Sequence, residues 1–324
     1  MTKYFGAAMR IVAAGLLMAI AYSAGAQQAY PNKMIRFIVP YPPGGSATPL
    51  VRYVGEKLTA SWGQQVIVDN RGGGNTVIAS EALVKSPPDG YTILLAGPTH
   101  VVNPSLITTT YDAFKDFAPV ATLVNSQIIL VANPAVAADS LQALIALAKS
   151  RPGQLNYASA SSGGINHLAG ELFNMMARVK TQHVPYKGGS QAVTDLMGGQ
   201  VQIYFATAFV LPQIKSGRIK ALAVTGKTRM AALPQVPTFA EAGLPGYSAD
   251  SWYGVLAPAG TPKPIIDKLS TEFAKILAMP DTVEFLDKQG VEPFISGPEQ
   301  FAALMKADFA KWAKVIRTAN IKID

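Results

Sequence analysis

Apolar runs of strand length alternate along this chain with segments in which apolar residues recur at helical spacing. The predicted strands lie at residues 34–39, 66–68, 91–95, 127–131, 156–158, 183–186, 201–205 and 221–225. The predicted helices include residues 50–59, 77–85, 141–148, 168–176 and 191–197. Because strands that alternate with helices form parallel sheets covered by those helices, we predict an α/β fold with parallel-rich sheets.

Two turn-rich segments divide this pattern, at residues 118–125 and 245–251. We interpret them as the places where the chain crosses between two lobes. Lobe 1 would then contain residues 27–126 and 246–324, and lobe 2 would be the inserted stretch 127–245. A cleft between the two lobes is the expected binding place.

The N-terminus has the pattern of a secretory signal peptide. Lys3 and Arg10 precede an apolar run at residues 11–21, and small residues follow that run. The run is too short for the alternative, a membrane anchor, which needs about 20 apolar residues. We predict that residues 1–26 are removed before Gln27 and that the protein is periplasmic.

Composition narrows the possible functions. Hydrophobic residues make up 49% of the chain and charged residues 15%, which is sufficient for a large core. The net charge is +8, but no dense block of Lys and Arg occurs, so nucleic-acid binding is not expected. The chain has no cysteine, and its three histidines lack metal-site spacing. We therefore expect no metal, no cofactor and no disulfide.

The stretch from Pro40 to Pro49 follows a predicted strand and opens a predicted helix. Its prolines stiffen the turn, and Gly44 and Gly45 leave backbone N–H groups accessible to a ligand. Thr48 is the expected N-cap of the helix. A helix N-terminus carries unpaired donors and partial positive charge, which suits a carboxylate. The alternative is a tight strand–helix connection that binds nothing.

The stretch from Tyr157 to His167 repeats this arrangement with a cluster of serines and glycines. It follows a predicted strand, and ligands of open α/β sheets bind at the carboxyl ends of such strands. A third set combines Lys187 with Ala206 and Thr207, which also follow predicted strands. Lys187 would add positive charge to the cleft, unless it is an ordinary solvated surface lysine.

Several ordered motifs together carry a family resemblance. They are Ile38-Val39-Pro40-Tyr41-Pro42-Pro43-Gly44-Gly45, Asn70-Arg71, Pro88-Asp89-Gly90-Tyr91-Thr92, Asn103-Pro104-Ser105-Leu106, Arg151-Pro152-Gly153-Gln154-Leu155-Asn156-Tyr157-Ala158-Ser159, His167-Leu168-Ala169-Gly170-Glu171, His183-Val184-Pro185-Tyr186-Lys187-Gly188, Leu233-Pro234-Gln235-Val236-Pro237-Thr238 and Trp252-Tyr253-Gly254-Val255-Leu256-Ala257-Pro258. With them the chain resembles the Bug-type extracytoplasmic solute receptors, the periplasmic binding component of tripartite tricarboxylate transporters.

The resemblance implies a two-lobe periplasmic binding protein of the Venus-flytrap type, with its site between the lobes. It implies that two loops hold a ligand carboxylate, largely through backbone groups and bridging waters. On one lobe the matching residues are Tyr41, Gly44, Gly45, Ser46, Ala47 and Thr48. On the other they are Ser159, Ser161, Gly163, Gly164 and His167.

This sequence departs from the family pattern at two places. Thr48 stands where members often have Asp, and Ala206 and Thr207 stand where many have Asp-Asn after the Phe. The resemblance implies that the second Asp can pair with the ammonium of an amino-acid ligand. Its absence argues against an amino acid and favours a ligand whose far end is neutral, anionic or aromatic.

We therefore predict a monomeric, non-enzymatic binding protein for a small carboxylate, namely a dicarboxylate, a tricarboxylate or an aromatic carboxylate. Its macromolecular partners would be membrane permease subunits or a sensor. One alternative is a secreted serine hydrolase that uses Ser161 or Ser162 with His167. Another is a module that binds a protein partner without any ligand.

Overall fold

The computed structural model describes residues 30–43 and 47–323. Its strands are β1 (Ile35–Val39), β2 (Val66–Asn70), β3 (Thr92–Ala96), β4 (Phe117–Ser126), β5 (Ile129–Ala132), β6 (Asn156–Ser159), β7 (Gln182–Pro185), β8 (Ile203–Ala206), β9 (Lys220–Val224), β10 (Ser251–Pro258) and β11 (Glu292–Pro293). All eight predicted strands are present, with ends that differ by a few residues. The predicted signal peptide lies outside the described residues.

The helices cover both sheets. They are α1 (Ala47–Trp62), α2 (Val77–Val84), α3 (Pro98–Val102), α4 (Leu141–Ser150), α5 (Ile165–Ala177), α6 (Gly189–Met197), α7 (Leu211–Lys215), α8 (Lys263–Leu277), α9 (Pro280–Gln289) and α10 (Pro298–Ala319). Ser140 caps α4, because its side chain accepts a hydrogen bond from the Ala143 N–H at 3.1 Å. No helix among the described residues is long and apolar enough to cross a membrane.

The strands form two sheets, one in each lobe. The first sheet has the order β11-β4-β10-β3-β1-β2, and the second has the order β7-β6-β8-β5-β9. The strands β1, β2 and β3 run parallel, as do β6, β7 and β8. The remaining pairs are antiparallel, so both sheets are mixed rather than parallel-rich.

The antiparallel pairs follow from the path of the chain. Strand β4 leads out of the first sheet and β10 leads back into it, so these two neighbours must run in opposite directions. The two connections also lie side by side, since the hydroxyl oxygen of Thr225 accepts a hydrogen bond from the Ile128 N–H at 2.9 Å. The second sheet is therefore built from the continuous stretch between these connections.

Residues 118–125 are not the turn that the sequence predicts, because they lie within the ten-residue strand β4. The side chains from Val120 to Val124 pack into the core. Within this stretch Pro119 pairs with Leu256, where the register of β4 and β10 shifts. A strand tolerates proline at such an irregularity, where the missing N–H breaks no regular ladder bond.

The C-terminal helix α10 packs on both lobes. Phe301 and Met305 in its first half belong to the same buried cluster as Trp252 of the first sheet. Trp312 and Ile316 in its second half are buried with side chains of the second lobe. This helix therefore forms a third physical link between the lobes.

Candidate functional site

The loops at the carboxyl ends of the parallel strands bring the two lobes together. In the first lobe, loops follow β1, β2 and β3 at one edge of the sheet, and loops follow β6, β7 and β8 in the second lobe. The two edges meet at Gly163, where a Cβ atom would lie 2.5 Å from Cδ1 of Leu106 and 3.7 Å from Nδ2 of Asn75. Open α/β sheets bind ligands at this edge.

The loop after β1 is held by Asn70, the last residue of β2. The Asn70 side-chain amide donates to the carbonyl oxygen of Tyr41 at 2.9 Å and to the hydroxyl of Thr48 at 2.8 Å. The prediction that Thr48 is the N-cap is wrong, because α1 already begins at Ala47. The buried Thr48 hydroxyl instead receives a hydrogen bond from the neighbouring strand. Gly44, Gly45 and Ser46 lie outside the described residues.

The side chain of Tyr41 packs on the strand that returns from the second lobe. Its ring meets the ring of Tyr253 edge to face, with centroids 6.1 Å apart. Burial raises the pKa of Tyr41, as does the neighbouring Tyr253, and a hydrogen bond with Thr99 only partly opposes this. Tyr41 is therefore a neutral phenol at physiological pH.

The loop after β6 is shaped by two histidines. The Ser159 hydroxyl donates to the carbonyl oxygen of Ser161 at 2.9 Å and lies 2.6 Å from Nε2 of His183. The Gly163 N–H donates to Nδ1 of His167 at 3.0 Å. The two imidazoles stack on each other, with centroids 3.6 Å apart and planes 7° apart.

These contacts fix the proton at one nitrogen of each ring, and burial keeps both rings neutral. Nδ1 of His167 must accept from Gly163, and Nε2 of His183 must donate to Ser159, whose own proton goes to Ser161. Burial lowers the pKa of His167 to about 3, helped by the adjacent His183. Burial likewise lowers the pKa of His183 to about 4. Both rings are therefore neutral, and their role is to hold the loop.

This arrangement offers no catalytic pair for a serine hydrolase. The buried His167 uses Nδ1 for the backbone of its own loop, and within the described chain neither Ser161 nor Ser162 is hydrogen-bonded to it. Ser159 is fully buried; its hydroxyl donates to the Ser161 carbonyl and accepts a hydrogen bond from His183, so His183 is not placed to take its proton. A nucleophile needs an exposed oxygen next to an acceptor nitrogen.

The remaining predicted site residues lie in different surroundings. Ala47 is buried at the start of α1, and the backbone of Gly163 and Gly164 is buried at the start of α5. Lys187 is exposed. Ala206 is fully buried in the hydrophobic core of the second lobe, whereas the next residue, Thr207, is only partly buried and lines a cavity between the lobes.

That cavity lies between Thr207 and the first lobe. It measures about 30 Å³ and is lined by side chains from both lobes. The first lobe contributes to its lining the side chains of Leu50, Val124, Tyr253 and Phe285. The second lobe contributes those of Thr207 and Phe209. Tyr253 thus touches both this cavity and Tyr41 of the first loop.

Several residues of this region were not predicted from the sequence as site residues. Asn75 and Asn103 bind each other, since each side-chain amide donates to the other residue at 2.8 Å. Both lie on the first-lobe side of the contact at Gly163. Asn70 and His183 belong to the motifs that carry the family resemblance, but no role in the site was predicted for them. Their position in or next to a predicted strand was the sequence feature that could have indicated such a role.

Comparison with known proteins identifies the family. Residues 50–321 match the model of the tripartite tricarboxylate transporter family receptor. The chain belongs to this family. Protein BugT of Bordetella pertussis is 38% identical over 298 residues, which cover 91% of each chain. The predicted resemblance to Bug-type receptors is therefore confirmed.

Solved structures show the same fold. A protein of R. palustris with adipate is 34% identical and superimposes with a TM-score of 0.83, covering 90% of this chain and 99% of that one. MatC from Rhodopseudomonas palustris with bound malate is 28% identical with a TM-score of 0.78, covering 89% and 100%. The two-lobe α/β fold is thus confirmed. Because the family consists of solute-binding receptors, the prediction of a non-enzymatic binding protein is confirmed as well.

Proposed function

We propose that this chain is a periplasmic receptor that captures a small carboxylate between its lobes and presents it to permease subunits or to a sensor. The observation that carries the proposal is the meeting of two strand–helix loops from opposite lobes at Gly163. The adipate and malate bound to the similar R. palustris proteins support a carboxylate as the ligand. Export through a signal peptide of residues 1–26 and a monomeric state belong to the same proposal.

The proposed contacts are mainly backbone donors. Helix α5 has 13 residues and begins after Gly164 without a side-chain cap, so its first N–H groups are available to an anion. On the other lobe, α1 begins at Ala47 and is fixed against β2 by Asn70. The proposed ligand-binding residues are Tyr41, Gly44, Gly45, Ser46, Ala47, Thr48, Ser159, Ser161, Gly163, Gly164, His167, Lys187, Ala206 and Thr207.

Lobe closure is the proposed mechanism. The lobes would be residues 27–126 with 246–324, and residues 127–245, joined by the paired connections at Ile128 and Thr225. A ligand that contacts both loops binds the closed state better than the open one, and this difference in affinity shifts the equilibrium towards closure. The closed state would then be the form that a permease or sensor recognises.

The test uses the protein that begins at Gln27. Melting temperature and calorimetric binding are measured with adipate, malate, citrate, benzoate and glutamate. We expect at least one carboxylate to raise the melting temperature by several degrees when it is present at about 100 times its dissociation constant. Glutamate is expected to have no effect, because Ala206 and Thr207 replace the Asp-Asn of many members and offer no charge to its ammonium.

A loop variant separates specific from nonspecific binding. Gly45→Val is expected to abolish binding, whereas Gly297→Val leaves it unchanged, because Gly297 has an extended backbone and a Cβ atom on it has no neighbour within 4 Å. Wild-type affinity in Gly45→Val would remove the first loop from the site. A panel without any binding, together with a stable ligand-free complex with permease subunits, would instead establish the partner-binding module.

A further inference from the structure

We infer that the cavity between Thr207 and Tyr253 receives the far end of the ligand, and that the ligand is a monocarboxylate whose far end is uncharged and apolar. The inference rests on the proposed function, since it assumes that the two loops hold the carboxylate. It narrows the ligand class, because dicarboxylates, tricarboxylates and amino acids would all place a charge in the cavity.

The cavity adjoins the proposed carboxylate loops. Leu50, which lines it, follows Thr48 by two residues on α1. Tyr253 lines it too, and its ring packs against the ring of Tyr41 at 6.1 Å between centroids. On the second lobe it is lined by Thr207, directly after β8. Among the described residues proposed to bind the ligand, Thr207 is the one that lines the cavity, so a ligand held at the loops would enter this space past Thr207.

The lining of the cavity is mainly apolar and uncharged. Of the described residues that line it, none carries a charge. Hydrocarbon comes from side chains such as Leu50, Val124, Phe209 and Phe285. The polar groups, all neutral, come from Ser126, Thr207, Ser251, Tyr253 and Gln289. An ammonium or a second carboxylate placed here would lose its hydration without gaining an ionic partner. A methyl or methylene group would lose only unfavourable contact with water.

The size of the cavity limits what fits. Its volume of about 30 Å³ admits a group of only a few non-hydrogen atoms. Two close contacts restrict its expansion. A Cβ atom on Gly189 would lie 2.7 Å from Cζ of Phe209, and one on Gly290 would lie 2.6 Å from Cβ of Ala208. A short alkyl end is therefore expected to fit better than a ring.

A matched series of ligands tests the inference by calorimetry. Pentanoate, glutarate and 5-aminopentanoate have five carbons each, and the fifth carbon is a methyl group, a carboxylate or a methylene that carries an ammonium. We expect the wild-type protein to bind pentanoate at least tenfold more tightly than either of the others. Benzoate is expected to bind more weakly than pentanoate.

A negative charge placed in the cavity should reduce the preference for pentanoate over 5-aminopentanoate. Thr207→Asp is expected to weaken pentanoate binding at least tenfold and to improve the affinity for 5-aminopentanoate relative to pentanoate. Ser190→Asp, an exposed position on the same lobe, controls for the added negative charge and should change neither affinity.

The possible outcomes distinguish the inference about the cavity from the proposed receptor function. Tight binding of glutarate or adipate that is unchanged in Thr207→Asp would overturn the inference about the cavity and leave the receptor function standing. Absence of binding for every carboxylate in wild-type protein would overturn the receptor function and the inference together. A switch of preference in Thr207→Asp that is absent from Ser190→Asp would establish both.

Discussion

The imidazoles of His167 and His183 lie face to face, with centroids 3.6 Å apart, and each holds a different part of one loop. His183 donates to the side chain of Ser159 where the loop begins, and His167 accepts from the backbone N–H of Gly163 where it ends. The contact made by His167 requires a neutral ring, because a protonated Nδ1 could no longer accept, whereas His183 can donate from Nε2 in either protonation state. The shape of the loop therefore depends on the protonation state of His167.

Acid is expected to destabilise the protein through this pair. The pKa of His167 is about 3 in the folded protein and about 6.5 when the residue is exposed, so the unfolded chain binds more protons between these values. The contribution of neutral His167 to the free energy of unfolding is fully present above pH 6.5, and it is lost as the pH decreases towards 3. At pH 5 the loss from His167 alone is about 2 kcal/mol. Melting temperatures measured between pH 7.5 and pH 5 should show the decrease.

The variant His167→Asn isolates this contribution. Its side-chain oxygen can replace Nδ1 as the acceptor for Gly163, but the side chain does not titrate. The melting temperature should therefore fall less between pH 7.5 and pH 5 than in the wild type. His100, whose pKa burial also lowers to about 4, lies in the first lobe and contributes equally to both proteins. An identical decrease in both proteins would contradict the prediction.

The contact between the lobes at Gly163 can be tested with a pair of glycines of the same conformation. Gly163 and Gly217 both have φ of +71°, but only at Gly163 would a Cβ atom collide with neighbours, Leu106 and Ile323. Alanine at either position adds strain of about 1–2 kcal/mol, because the left-handed region disfavours side chains. We expect Gly163→Ala to reduce carboxylate affinity at least tenfold.

Gly217→Ala supplies the reference for that experiment. It carries the same backbone strain on an open surface, so it should lower the melting temperature slightly and leave affinity unchanged. The difference in affinity between the two variants then measures how much the close contact between the lobes at Gly163 contributes to ligand binding. Equal affinities in both variants would show that this contact does not contribute to the bound state.

The sequence predicted the order of strands and helices, because long apolar runs identify them locally. It did not predict the partners of the loops. His183 reaches Ser159 because β6 and β7 pair in parallel with Tyr157 opposite His183, and this register is set by the whole sheet. Side chains on a strand point alternately to opposite faces. This alternation explains why Ala206 is in the core while Thr207 faces the cavity.

Asn70 is expected to position the first loop. Asn70→Leu keeps the volume but leaves the Tyr41 carbonyl and the Thr48 hydroxyl without their donor. Loss of these two hydrogen bonds should lower the free energy of unfolding by about 1–3 kcal/mol. Because the loop then loses its attachment to β2, carboxylate affinity should fall at least tenfold. Chemical denaturation and calorimetry measure the two effects separately.

Asn133 provides the matched control for Asn70. Its side-chain amide also donates two hydrogen bonds, here to the backbone carbonyls of Leu196 at 2.7 Å and Met197 at 3.2 Å, and its side-chain oxygen accepts from the Ala135 N–H at 2.8 Å. It follows β5, which runs antiparallel to β8, so it lies at the edge of the sheet opposite the site. Asn133→Leu should therefore reduce stability by a similar amount without changing affinity. Equal losses of affinity in both variants would mean that Asn70 acts only through global stability.

The C-terminal tail is expected to support the second loop directly. After α10 ends, Asn320 adopts a left-handed conformation and Ile321 packs against the core of the second lobe. Cδ1 of Ile323 then lies 2.9 Å from the position of a Cβ atom on Gly163. Removing this contact should free the loop, which must then be ordered when a ligand binds.

Ile323→Ala is therefore expected to weaken carboxylate binding about two- to fivefold, which corresponds to roughly 0.4–1 kcal/mol. The melting temperature should change little, because Ile323 is only partly buried and lies beyond the end of α10. Ile295→Ala removes an isoleucine side chain that is 49% exposed in the first lobe, and it should leave the affinity unchanged. If Ile323→Ala bound its ligand as tightly as Ile295→Ala does, the tail would have no part in shaping the loop.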